Sequence, residues 1–96
     1  MIKVNFYKST NPKKKLMATF SLNGEIIKTT HFGASGYSDF TKHLDPYRKN
    51  RYIARHIKNI DFSKPMSAGV LALYILWNKP TLEASIKDYK KTFNFS

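Results

Sequence analysis

Four cationic residues near the middle of the chain recur at the spacing of one helix face. Arg48, Arg51, Arg55 and Lys58 are separated by three or four residues, so at about 100° per residue they occupy an arc of roughly 80°. Three of them are guanidiniums, which hold a phosphate through two parallel hydrogen bonds. The spacing favours a helix with a phosphate-binding face, although such a stripe is also typical of a helix side that simply faces solvent.

Residues suited to acid-base or metal chemistry are few and scattered. The candidates are three histidines and three aspartates, His31, His43, His56, Asp39, Asp45 and Asp61. No His-x-x-x-His pair, phosphate-binding glycine loop or nucleophile motif occurs. We therefore expect no catalysis, no cofactor and no metal ion. A metal-dependent nuclease built on His31, Asp39 and His43 is the enzymatic alternative.

Charge and composition narrow the class of partner. The chain has 17 Lys+Arg against 6 Asp+Glu, a net charge of +11 on 96 residues, which is typical of nucleic-acid binding or, less often, of anionic membrane surfaces. The excess is spread along the chain, so it belongs to a folded surface. The 42% hydrophobic residues favour one folded domain over residues 1–96. The absence of cysteine excludes disulfides and thiolate zinc sites.

The first third of the chain predicts antiparallel strands. Residues 2–7 alternate apolar and polar side chains, the pattern of a half-buried strand. Two further strand-like runs flank Asn23-Gly24, a pair that favours a two-residue type I′ hairpin turn. That turn would place Leu22 opposite Glu25 and Phe20 opposite Ile27, with Leu16, Ala18, Phe20 and Ile27 on the buried face.

The remainder predicts three to four helices, giving an α+β fold with the hairpin or three-stranded sheet first. Gly33 and Gly36 would bracket the passage from strand to helix, with Ser38 as an N-cap. Backbone amides of residues 36–39 could alternatively hold a phosphate, which Asp39 would oppose. Asp45-Pro46 would begin the basic helix, which should run to about Asn59 with its buried side formed by Ile53, Ile57 and Ile60.

Residues 66–77 are the most apolar stretch. They are too few to span a bilayer, which takes about 20 residues, and we expect no membrane partner. A helix apolar on every side is either the central core helix or a homodimer seam, for which the candidates are Val70, Leu71, Leu73, Tyr74 and Trp77. A last helix from Thr81 would dock through Leu82, Ile86, Tyr89 and Phe93.

Residues 28–93 resemble a family of small basic proteins encoded by large and giant double-stranded DNA viruses, including Marseillevirus-like members. The resemblance rests on His-Phe-Gly-x-x-Gly-Tyr-Ser-Asp-Phe-Thr-x-His from His31, Asp-Pro-x-Arg from Asp45, Arg-Tyr-x-x-Arg-His from Arg51 and Leu-Trp-Asn-Lys-Pro from Leu76. It implies a viral protein that binds DNA as a dimer, located in the virion and, during infection, in the host cytoplasm or nucleus.

These observations together predict a non-enzymatic protein that binds double-stranded DNA through its backbone with little sequence selectivity, acting as a homodimer in genome packaging or coating. RNA is an alternative to DNA as the bound polymer, and no small-molecule substrate is expected. The alternative is a virion structural protein that recruits acidic partners. The expected DNA-binding residues are Lys13, Lys14, Lys15, His31, Lys42, Arg48, Lys49, Arg51, Arg55 and Lys58.

Overall fold

A three-stranded antiparallel sheet forms the first third of the molecule. The computed structural model describes all 96 residues, with strands β1 (Lys3–Lys8), β2 (Lys14–Leu22) and β3 (Glu25–Ala34) in the order β1-β2-β3. Helices follow the sheet, so the α+β prediction is confirmed. Along β1 and β2 the inward residues pair as expected from their alternation, with Val4 opposite Phe20 and Phe6 opposite Ala18.

The β2–β3 hairpin turns at the predicted residues. Asn23 and Gly24 have φ angles of 52° and 80°, the positive values of a type I′ turn, and Leu22 pairs with Glu25. The register further along differs from the prediction. A bulge between Phe20 and Ser21 shifts the ladder, so Phe20 pairs with Lys28 and not with Ile27.

The bulge changes which side chains reach the core. Phe20 is fully buried, whereas Ile27 is 49% exposed, so its predicted place on the buried face is wrong. The physical reason is the period of two in a strand, since one extra residue in β3 turns the side chains beyond it to the other face.

Two consecutive helices leave the sheet. The short α1 (Phe40–His43) is capped by Asp39, whose carboxylate accepts the Thr41 amide; Ser38, the predicted N-cap, lies one residue too early. The longer α2 (Pro46–His56) begins as predicted, with Asp45 as N-cap and Pro46 at the first position. A single 3-10 turn, Ile57–Asn59, continues it to the predicted end.

The buried side of α2 is not the predicted isoleucine stripe. Ile53 is half-buried, but Ile57 is 40% exposed. The half-buried positions of α2 are Lys49, Tyr52, Ile53 and His56, which follow the i, i+3, i+4, i+7 spacing of one helix face. The Tyr52 ring and the aliphatic part of the Lys49 side chain therefore pack where the sequence pattern predicted isoleucines.

The most apolar stretch forms the core of the single chain. Helix α3 (Ala68–Leu71) continues into a π-helical turn, Ala72–Leu76. Val70 and Leu71 have no exposed surface and belong to the core that also contains sheet residues and Tyr89 of the last helix, and Leu73 is 9% exposed. A dimer seam through these three residues is therefore wrong, and the alternative of a central core helix is confirmed.

The last helix and the C-terminal residues close the core. Helix α4 (Leu82–Phe93) is capped by Thr81 and buries Tyr89, whose hydroxyl donates to the Pro65 carbonyl at 2.6 Å. The Val4 amide then donates to the Ser96 carbonyl at 3.0 Å, and the Ser96 amide donates to the Ile2 carbonyl at 3.0 Å, at the outer edge of β1. None of the helices combines the length and the apolar character needed to cross a bilayer.

Candidate nucleic-acid interface

Three arginines of α2 surround one surface depression. Arg48, Arg51 and Arg55 are exposed and line a depression of about 230 Å³ together with Trp77. None of the three guanidiniums forms an ion pair with a carboxylate of the chain. The arginines predicted to share a helix face are therefore brought together, with their charge directed to solvent.

The acidic residues do not neutralise this surface. The structure contains one ion pair, between Lys15 Nζ and Asp39 Oδ2 at 2.7 Å. Other carboxylates are used locally: Asp45 caps α2, Asp61 accepts from Ser63, and Asp88 accepts from Asn78. Sixteen of the 17 lysines and arginines consequently have no carboxylate partner.

Lys15 has a structural role that the sequence did not indicate. Its side chain is 15% exposed and that of Asp39 is 2% exposed. Burial alone would raise the pKa of the Asp39 carboxyl, but hydrogen bonds from Lys15 and Thr41 and the charge of Lys15 hold that pKa below its ordinary value. Lys15 is thus engaged inside the molecule, and its prediction as a free phosphate contact is wrong. The Asp39 carboxylate accepts the Thr41 amide, so the alternative phosphate site at the amides of residues 36–39 stays a prediction.

Lys49 is likewise engaged within the chain. Its ammonium donates to the Asn78 carbonyl at 2.6 Å and lies 4.8 Å from the centroid of the Phe40 ring. The first contact connects α2 to the loop before α4, and the second connects it to α1. Lys49 therefore stabilises the fold and is withdrawn from the predicted DNA-binding set.

The remaining predicted contacts divide into two groups. His31 is half-buried, and its Nδ1 is hydrogen bonded to Ser9 Oγ at 2.7 Å. Four lysines are exposed, namely Lys13, Lys14, Lys42 and Lys58. Two of these, Lys14 and Lys42, line a cavity of about 330 Å³. Lys8 lines the same cavity and was not among the predicted DNA-binding residues.

An aromatic stack supports the arginine face from behind. The Tyr52 ring lies 4.2 Å from the Trp77 ring with an interplanar angle of 5°, and 4.1 Å from the His56 ring at 23°. Burial raises the pKa of the Tyr52 phenol, and the charge of Arg55 offsets part of this rise. Trp77 was predicted in the dimer seam; it instead packs on α2 and lies among the arginines.

The histidines show no metal-binding arrangement. His43 Nδ1 accepts the Asp45 amide at 3.0 Å, so in the neutral ring the proton is on Nε2, which is buried without a partner. His56 Nδ1 donates to the Tyr52 carbonyl at 3.2 Å. No group of three His, Asp or Glu side chains is placed to hold a metal ion, so His31, Asp39 and His43 do not converge as the nuclease alternative requires.

A larger cavity lies beside the arginine depression. It has a volume of about 380 Å³ and lies between the end of β3, α2 and the π-helical turn. Arg48, Arg55 and Tyr37 belong to its lining. Gly33, with φ 78°, approaches the π-helical turn so closely that an added Cβ would lie 2.6 Å from Leu76 Cδ1. Sequence spacing alone could not have revealed this cavity, because its walls come from segments far apart in the chain, including Lys15 of β2.

The fold and this surface define a small basic α+β domain with an unneutralised arginine-aromatic face. The chain belongs to DUF5754, a family of unknown function, whose sequence model matches residues 4–56. The matched part contains the sheet except for Lys3, together with α1 and α2, and therefore all three arginines of the face. Neither a curated protein nor a solved structure shows significant similarity to the chain.

Proposed function

We propose that this protein binds double-stranded DNA through phosphate contacts, without catalysis and with little sequence selectivity. The observation that carries the proposal is the set of three exposed arginines on α2, none of which has a carboxylate partner. Unpaired guanidiniums on one rigid element are suited to phosphates, because their fork geometry matches phosphate oxygens and no internal ion pair must first be broken.

The dimensions of α2 agree with a phosphate track. Arg48 and Arg55 are seven residues apart, which corresponds to about 10 Å of helix. Each strand of a DNA duplex presents one phosphate per about 3.4 Å of axis, so this span faces roughly three phosphates of one strand. The number of arginines on α2 therefore matches the number of phosphates that the helix faces.

The lysines on the sheet side extend the cationic surface. The cavity lined by Lys8, Lys14 and Lys42 and the cavity lined by Arg48 and Arg55 share Lys15 as a common wall. A phosphate bound at these lysines would therefore lie close to Arg48 and Arg55. This arrangement favours binding of a continuous backbone over binding of a single small anion.

The biological setting follows from the resemblance to proteins of large DNA viruses. A basic protein that binds DNA without selectivity suits the packaging or coating of a viral genome in the virion. A homodimer would double the net charge of +11 and bridge two DNA segments by multivalency. Since Val70, Leu71 and Leu73 are buried, such a dimer would use another surface.

The test is binding of the folded protein to a fluorescent random-sequence duplex over a range of NaCl concentrations. A linear log-log salt dependence with a slope of magnitude about 4 to 8 supports the proposal. Weak binding that is insensitive to replacement of the three arginines would overturn it and favour the alternative, a virion protein that uses this cationic surface for acidic protein partners. A matched RNA duplex, measured in parallel, determines the preferred polymer.

A further inference from the structure

The cavity between β3, α2 and the π-helical turn combines a cationic rim with an apolar interior. Its volume of about 380 Å³ is at the lower end of the range for small-molecule sites. Ala72 and Leu76 belong to the lining, as does Trp77. An apolar interior of this kind is unnecessary for contact with phosphates alone, which need only cations and water.

The charge at this cavity is positive and uncompensated. Arg48 and Arg55 line it without carboxylate partners. No carboxylate belongs to its lining, and Asp39, which lines the neighbouring cavity, is paired with Lys15. The ligand should therefore carry a negative charge at the rim and an apolar, flat group inside.

An exposed aromatic ring is placed at the same cavity. Tyr37 is 73% exposed and belongs to the lining, in the connection between β3 and α1. It takes part in none of the aromatic pairs of the core, whereas Tyr52 has one ring face on Trp77 and the other on His56. Tyr37 is thus the ring available for stacking on a ligand.

We propose that this cavity binds one unpaired nucleotide of a DNA strand, with its phosphate at the Arg48 and Arg55 guanidiniums and its base against Tyr37. The proposal deepens the function proposed above and rests on it. It adds a preference for strand ends and gaps, where a nucleotide is free to leave the stack, over the interior of an intact duplex. Base stacking on an aromatic side chain is tolerant of sequence, which agrees with weak selectivity.

Trp77 gives a direct measurement of occupancy. It is the one tryptophan of the chain and lines the cavity, so its fluorescence should change saturably on binding. The ligands are a blunt duplex, the same duplex with a single-stranded overhang, free thymidine 5′-monophosphate, and inorganic phosphate. We expect the overhang duplex to bind about 5-fold to 150-fold more tightly than the blunt duplex, the range that one stacked base supplies.

Two variants test the assignment to the cavity. Tyr37→Ala should remove the preference for the overhang, and its ring is too exposed for the change to unfold the protein. Tyr47→Ala is the matched control, because Tyr47 is 68% exposed on α2 but does not line the cavity; it should keep the preference. Ala34→Leu, which narrows the cavity without changing a charge, should also remove it.

The outcomes separate this proposal from the function on which it rests. Equal affinity for overhang and blunt duplexes, with tight and arginine-dependent binding to both, overturns the nucleotide site and leaves backbone binding standing. If free thymidine 5′-monophosphate binds and the overhang gives no preference, the proposal that the nucleotide belongs to a DNA strand is overturned. The cavity is then a site for free nucleotides. A Trp77 response to inorganic phosphate equal to that for the nucleotide overturns the role of the base. Loss of duplex binding itself overturns both proposals.

Discussion

Replacing Arg48, Arg51 and Arg55 together by glutamine should weaken DNA binding by an amount that depends on salt in a calculable way. Each phosphate contact contributes about 0.9 to the slope of log affinity against log salt concentration. Three lost contacts should therefore lower the magnitude of the slope by about 2.7. Between about 50 and 300 mM NaCl the ratio of wild-type to variant affinity should then fall by about 100-fold.

The assay is fluorescence anisotropy with a random-sequence duplex, after circular dichroism has shown that each variant is folded. The matched control replaces Lys3, Lys87 and Lys91 by glutamine, because these exposed lysines line none of the cavities. Both variants lose three positive charges, so an effect of net charge alone would appear equally in both. An equal loss of slope in the two variants would refute the assignment of the interface to α2, as would an unchanged slope in the arginine variant.

Further predictions concern the structure that supports the interface, and each is measured by urea denaturation. Gly33→Ala should lower the free energy of unfolding by about 2 kcal/mol, since it combines an unfavourable positive φ with a steric clash; Gly69→Ala, whose Cβ has ordinary contacts, should not destabilise the protein. Asp39→Asn should cost about 3 kcal/mol at neutral pH by leaving the Lys15 charge unpaired. Because the folded-state pKa of Asp39 is lowered, this stabilisation is present above its ordinary value of 3.8 and is lost as pH falls through the folded value; an identical pH dependence in wild type and variant would contradict this role. Tyr89→Phe should cost about 1 to 2 kcal/mol, because it leaves the partly buried Pro65 carbonyl without its donor, and a loss below about 0.5 kcal/mol would show that water replaces the hydroxyl.

Local patterns in the sequence were sufficient for the elements whose geometry depends on a few neighbouring residues. Asn23-Gly24 predicted the hairpin turn because few residues other than glycine and asparagine adopt two consecutive positive φ angles. Asp45-Pro46 predicted the beginning of α2 because an aspartate cap and a proline at the first position satisfy the helix end locally.

Features that depend on distant contacts were missed. The bulge next to Phe20 was missed, because the period-two pattern assumes an uninterrupted ladder. Lys15 and Lys49 have the same chemistry as the exposed lysines, and only the positions of Asp39 and of the Asn78 carbonyl withdraw them from the surface.

The sequence by itself determined the α+β class, the order of strands and helices, and the arginine spacing that makes one side of α2 cationic. These depend on residue periodicity and on net charge, which are properties of the chain before it folds. Tertiary structure alone decided that the apolar stretch is an internal core, that Trp77 stacks on Tyr52, and that the arginines border a cavity containing Tyr37. The physical reason is that burial and cavities arise where segments far apart in sequence pack together, and the spacing within any one segment contains no information about its partners.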